Sequence, residues 1–154
     1  RIRPIRLFHS IKDTYGFILN HSNTKIGYIT DTGYSKKFET TTGEIYESGT
    51  EIYSGEFKRI KSKSNYIKNS FSGVDILIVT INGLLFTKHS KYHMTGYDLI
   101  DILKDSNIKQ CFIVNLHPVD LLKKDLAKKT AKYISEMSGV STLVIPKSGL
   151  EYKI

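Results

Sequence analysis

Apolar and polar positions alternate through the first third of the chain, and past Gly73 the alternation gives way to unbroken apolar runs. "IRLFHS" and "YGFILN" read as two short strands and "KIGYIT" as a third, with "NHSNT" as the polar turn between the last two. From Tyr34 to Ile60 the chain is rich in Thr, Tyr, Glu and Gly with period-two alternation, which predicts one or two exposed hairpins. "KSKSNYIKNSF" fits a short helix or a loop. "VDILIVTI" and "KQCFIVNLH" have the continuous apolar texture of strands buried on both faces. Between them, "TGYDLIDILKDSN" predicts a helix with Thr95 as N-cap and Asp98 at the third helical position, a capping box. "VDLLKKDLAKKTAKYISEMSG" predicts the clearest helix, with Leu122, Leu126, Tyr133, Ile134 and Met137 on one stripe and Gly139 as its stop. "STLVIP" and "LEYKI" close the chain as strands.

This alternation of strand and helix periods makes the fold class α/β: one layered unit over residues 1–154, with a β-rich insertion at about 34–63. No apolar run approaches the ~18 residues that cross a bilayer, so no membrane partner is expected. "RIRPIRLFHS" contains no apolar segment of signal-peptide length, and the single cysteine, Cys111 inside "CFIV", excludes an internal disulfide. Both fit a reduced, cytoplasmic setting. The net charge of +8 is scattered over lysines, five of which (Lys123, Lys124, Lys128, Lys129, Lys132) lie on the polar side of the long helix. A solvated face explains them, although the positive field also favours an anionic ligand such as a phosphate ester.

The ionisable residues fall in a pattern. His9 ends "RLF", Asp31 ends "GYIT" and His117 ends "FIVNL", and strand ends in a layered α/β fold converge on one edge. His93 stands two residues before the Thr95 cap, near the positive end of a helix dipole, where anions gather. Neutral imidazoles and a carboxylate suit zinc, manganese or iron, and a carboxylate can bridge two ions. Two such ions generate hydroxide and clamp both oxygens of a phosphoryl displacement, and a further histidine near a helix start could protonate the leaving oxygen. A plainer reading stands beside this one. A histidine at a strand end is ordinarily a hydrogen-bonded surface residue, and Asp31 before Thr32-Gly33 is ordinarily a turn residue. His21 and His89 read as exposed loop residues. No local C-x-x-C or H-E-x-x-H signature is present.

Taken together, "HSIKDTYGFIL", "IGYITDTGY", "HMTGYDLIDIL" and "CFIVNLHP" resemble, in order and spacing, the metallo-β-lactamase superfamily. The nearest branch is the phosphodiesterase and nuclease one, which includes tRNA 3′-processing endonucleases and cyclic-nucleotide-degrading enzymes. The resemblance implies a four-layer αββα sandwich with two divalent metal ions, zinc or manganese, at one edge. It implies that His9 and His117 ligate metal, that Asp31 bridges the two ions, and that His93 assists protonation of the leaving group. It implies a phosphate-ester substrate, a cyclic nucleotide or RNA.

The sequence departs from that pattern in three places. The H-x-H-x-D-H motif of the family's N-terminal half is absent, Asn115 stands where a threonine is usual, and "TING" replaces the carboxylate that often follows the "DILI" strand. The chain therefore resembles mainly the second half of the sandwich. An inner sheet face of several hundred Å² left bare would forfeit roughly 10 kcal/mol at ~25 cal/mol per Å², comparable to a domain's whole stability. An N-terminal segment or a homodimer is expected to cover it. Three functions compete on this basis: the C-terminal part of a metal-dependent phosphodiesterase, with tyrosines of the insertion (Tyr34, Tyr46, Tyr53) stacking on a base; a non-catalytic binding or interaction protein on a truncated fold; and a nucleic-acid-binding module using the basic faces.

Overall fold

A computed structural model of the chain describes residues 1–9, 11, 13–34, 37–39, 45–47, 64–81, 93–115 and 124–152. Three strands open it as an antiparallel meander: β1 (Ile2–Arg6), β2 (Tyr15–His21) and β3 (Thr24–Ile29). The β2–β3 turn is two residues, with Ser22 at φ 52° in the left-handed region, the conformation by which so tight a turn matches the right-handed twist of its strands. β4 (Lys37–Glu39) and β5 (Ile45–Glu47) form a separate antiparallel pair, which is the described portion of the expected insertion. α1 (64–71) then leads to the apolar strand β6 (Ile76–Thr80), followed by α2 (Gly96–Leu103), β7 (Gln110–Val114), α3 (Lys124–Ser138) and β8 (Thr142–Val144).

The main sheet has the order β1-β2-β3-β6-β7-β8, and β3, β6, β7 and β8 pair in parallel. Since β1 and β3 are each antiparallel to β2, β1 also runs with the parallel set. The carboxyl ends of five strands therefore share one rim, where side chains from sequence-distant loops can meet.

The two faces of this sheet differ. One packs against the helices in a single core that joins Ile5, Ile18, Ile29, Leu77, Val79, Cys111 and Ile113 of the sheet side to Ile67, Phe71, Leu99, Ile102 and Ile134 of the helices. Phe71 of α1 seats directly on two glycines. A Cβ at Gly27 would lie 2.9 Å from its Cδ1, and one at Gly16 would lie 3.1 Å from its Cζ and 2.6 Å from the Tyr28 carbonyl. The alternation in β2 follows from this: Gly16 and Ile18 are buried, whereas Tyr15, Phe17 and Leu19 are exposed on the other face. Pairing continues that second face through Ile26, Tyr28, Ile78 and Phe112. Phe112 is buried there, with the Tyr152 ring edge-on at 5.7 Å, but Ile2 at the sheet's outer edge is 65% exposed.

Three expectations need correction. β1 begins at Ile2 and stops at Arg6, ahead of "LFHS", because Leu7 turns into the core and Phe8 bonds to the Asp31 loop. In α3 the buried positions are Ala127, Thr130 and Ile134, while Leu126 and Met137 are 45% and 52% exposed. The helix approaches α2 and β8 along its small-residue side, and Leu122 lies outside the described residues. Finally, the described part of "LEYKI" is not strand; Tyr152 folds back instead, and its hydroxyl oxygen accepts from the Lys147 amide at 2.9 Å. The capping box of α2 and the left-handed Gly139 after α3, at φ 74°, are as the sequence predicts. Among the described residues no helix is long and apolar enough to cross a membrane.

Candidate metal centre

The loop after β3 explains its own composition. Asp31 leaves the strand toward the rim, and the residues around it fasten that loop on several sides. Thr30 Oγ1 donates to the Tyr15 carbonyl at 3.2 Å. The fully buried Thr32 accepts the Phe8 amide at 2.9 Å through its hydroxyl, and the Gly33 amide donates to the Phe8 carbonyl at 2.6 Å. These bonds give the half-buried backbone of Phe8 its partners. They also hold the next residue, His9, against Asp31. Tyr34, expected from the sequence to stack on a base, instead turns into the core at 1% exposure, where no base can reach its ring, and donates from its hydroxyl to the Asp101 carboxylate on α2. Burial, and then that hydrogen bond, push the Tyr34 hydroxyl far above the ordinary phenol range, so it remains a donor.

His93 reaches the same place from the other direction. It precedes α2, whose start is fixed by Thr95: the Thr95 hydroxyl accepts the Asp98 amide and Asp98 accepts the Thr95 amide. The result is that His9, Asp31 and His93 offer one ligand atom each with all three atoms within 4.8 Å of one another. His93 Nδ1 lies 3.6 Å from Asp31 Oδ1, and the rings of His9 and His93 meet edge-on at 5.1 Å. Thr80, at the end of β6, donates to Asp31 Oδ1 at 3.0 Å and fixes the carboxylate's orientation.

This donor set fits a divalent ion. Two imidazoles and a carboxylate converge, and His93 Nδ1 is sealed from solvent with no hydrogen-bond partner among the described residues. Burying such a nitrogen unsatisfied costs about 1–3 kcal/mol, which a ligand to it would offset. The Cys111 thiol does not compete, since burial alone pushes its pKa far up and it lies within the core.

Of the four residues singled out from the sequence, three are thus together on the carboxyl rim, and His117 lies outside the described residues, as does His89. His21 is exposed at the end of β2, as expected. Asn115 directly follows β7 in the left-handed region, at φ 55°. That conformation suits asparagine and penalises a β-branched residue. Sequence reasoning missed Thr80 and Asp101. A threonine closing an apolar strand and an aspartate inside a helix carry no local signal, and only their placement against Asp31 and Tyr34 gives them a role.

The fold is that of a metallo-β-lactamase-like α/β protein. The chain is similar to the crystal structure of the metallo-β-lactamase fold protein YhfI from Bacillus subtilis, with a TM-score of 0.63 and 15% sequence identity over 97% of this chain. It spans about half the length of that protein, covering 47% of it. No family model matches the chain, and no curated protein matches it.

Proposed function

We propose that this chain carries part of the catalytic centre of a metal-dependent phosphodiesterase acting on a cyclic nucleotide or RNA. The observation that carries the reading is the convergence of His9, Asp31 and His93, residues far apart in sequence, on the carboxyl rim of the sheet. In this reading His9, Asp31 and His117 would hold zinc or manganese, and the bound metal would supply Lewis acidity toward a phosphoryl oxygen and a lowered pKa for water. Asp31 would help hold them through the carboxylate that Thr80 orients. His93, next to the positive end of α2, meets the anionic ester and delivers a proton to the leaving oxygen. A net charge of +8 raises the local concentration of such a substrate.

The partner completing the fold belongs to the same proposal. The exposed row Ile2, Tyr15, Phe17 and Leu19 receives a second sheet-bearing layer, from an N-terminal segment or a second copy of the chain. Intact mass of the native protein together with sedimentation of this chain separates those two sources.

The test is metal content followed by turnover. The purified chain supplied with zinc or manganese is expected to retain at least one ion per protomer by elemental analysis. Hydrolysis of bis-p-nitrophenyl phosphate by the completed protein is expected to vanish in Asp31→Ala. Retention of less than a tenth of an ion removes the metal reading. Retention without hydrolysis leaves a binding protein in its place.

A further inference from the structure

We infer that Tyr34 and Asp101 form a positioning clamp that sets the gap between Asp31 and His93. This rests on the metal reading above but names two residues outside its ligand set. The Asp31 loop is fastened to the His9 side by Thr32 and Gly33, both bonded to Phe8. On the His93 side the fastening is different in kind. Tyr34, three residues past Asp31, reaches over to Asp101 in the last turn of α2. α2 is short and stiff, and its capping box ties it to Thr95, two residues past His93. Any slide of α2 against the Asp31 loop is therefore a change in the 3.6 Å gap between Asp31 Oδ1 and His93 Nδ1. The same slide displaces Asp31, the shared carboxylate ligand of that reading, and metal sites tolerate only a few tenths of an ångström in ligand position.

Two details separate a clamp from ordinary packing. The Tyr34 ring belongs to the core, where a phenylalanine would bury as much apolar surface, so packing alone does not call for the hydroxyl. Asp101 is also anchored from a third element: Lys68 of α1 lies 3.8 Å from its Oδ1, with both side chains largely withdrawn from solvent. A charged, tethered acceptor and a buried donor that does not ionise make a directional bond between loop and helix.

The experiment measures zinc affinity of the full chain by competition with a chromophoric chelator, for the wild type, Tyr34→Phe, Asp101→Asn and Asp101→Ala. Tyr34→Phe and Asp101→Ala are expected to bind at least tenfold more weakly. Asp101→Asn, whose amide oxygen still accepts the phenol, is expected to stay within threefold of wild type, which a general loss of packing would not predict. Should Tyr34→Phe fail to fold, the Asn–Ala pair at the partly exposed Asp101 decides alone. Affinities of Tyr34→Phe or Asp101→Ala within twofold of wild type overturn the clamp. A crystal structure of metal-free Tyr34→Phe (or of Asp101→Ala, should the former not fold) reads the gap directly: an Asp31–His93 separation unchanged from 3.6 Å overturns the clamp even if the wild type takes up no zinc. Failure of zinc uptake by the wild type, with the gap altered in that variant, overturns the functional reading and leaves the clamp standing.

Discussion

Thr80 Oγ1 donates a 3.0 Å hydrogen bond to Asp31 Oδ1, so the last residue of β6 orients the carboxylate that ends β3. The two strands are parallel neighbours, which brings their carboxyl ends side by side although 49 positions separate the residues. The hydroxyl thereby fixes the orientation of the one carboxylate in the His9–Asp31–His93 cluster.

Replacing that hydroxyl should weaken metal binding far more than folding. Thr80→Val keeps the branched shape and removes the donor. Outer partners of ligands are typically worth about 10–100-fold in affinity, whereas one hydrogen bond to a partly exposed carboxylate contributes about 1 kcal/mol to stability. Chelator competition and urea unfolding of the metal-free chain measure the two separately. A stability loss with unchanged affinity would contradict this assignment.

The seat of Phe71 on Gly27 predicts overpacking. Gly27→Ala puts a methyl 2.9 Å from Phe71 Cδ1, with Leu77 Cδ1 and Val74 Cγ1 each at 3.3 Å, so no flexible side chain can yield cheaply. The expected cost is about 1–3 kcal/mol, read as a lower urea midpoint. The double variant Gly27→Ala with Phe71→Leu should be less destabilised than the sum of its single changes.

The two faces of α3 should respond oppositely to substitution. Ile134→Ala, at a fully buried site, should cost about 2–5 kcal/mol. Leu126→Lys and Met137→Lys, both on the solvent side, should change stability by no more than about 0.5 kcal/mol. Thermal or urea midpoints of the three variants distinguish this face from the Leu126–Met137 stripe that the sequence suggests.

Asp75 should shape the acid limb of stability. The Lys25 amide donates to its Oδ2 at 2.9 Å and the Lys109 ammonium donates to Oδ1 at 3.0 Å. The backbone bond first, then the lysine, hold its pKa below the ordinary carboxylate value. A group depressed on folding contributes stability that is complete above its unfolded value, ~3.9, and is lost as pH falls through the lower folded value. Asp75→Asn should therefore reduce stability at neutral pH and converge with wild type in strong acid. Urea midpoints measured from neutral pH down to about pH 2 give the comparison, and parallel curves would refute it.

Much of the fold was legible in the chain because it is written in local terms. Period-two stretches marked the meander, unbroken apolar runs marked β6 and β7, and Thr95 with Asp98 marked the start of α2. Each is a relation among near neighbours that the backbone can satisfy by itself. The helical stripe of α3 holds at Ile134 but not at Leu126 and Met137, because hydrophobic residues at helical spacing say that a face exists, while the element packed against it decides which face. Here the smaller Ala127 and Thr130 permit the close approach.

The site divides the same way. His9, Asp31 and His93 could be picked out by residue type and by their positions at strand ends and a helix start, since the direction of a strand is enough to say which rim it reaches. That their ligand atoms lie within 4.8 Å, that Thr80 turns the Asp31 carboxylate, and that Tyr34 grips α2 through Asp101 were decided only in three dimensions. Those relations depend on the registration of parallel strands and on where a helix settles against a sheet. Both are set by the packing of the whole core, which no local pattern encodes.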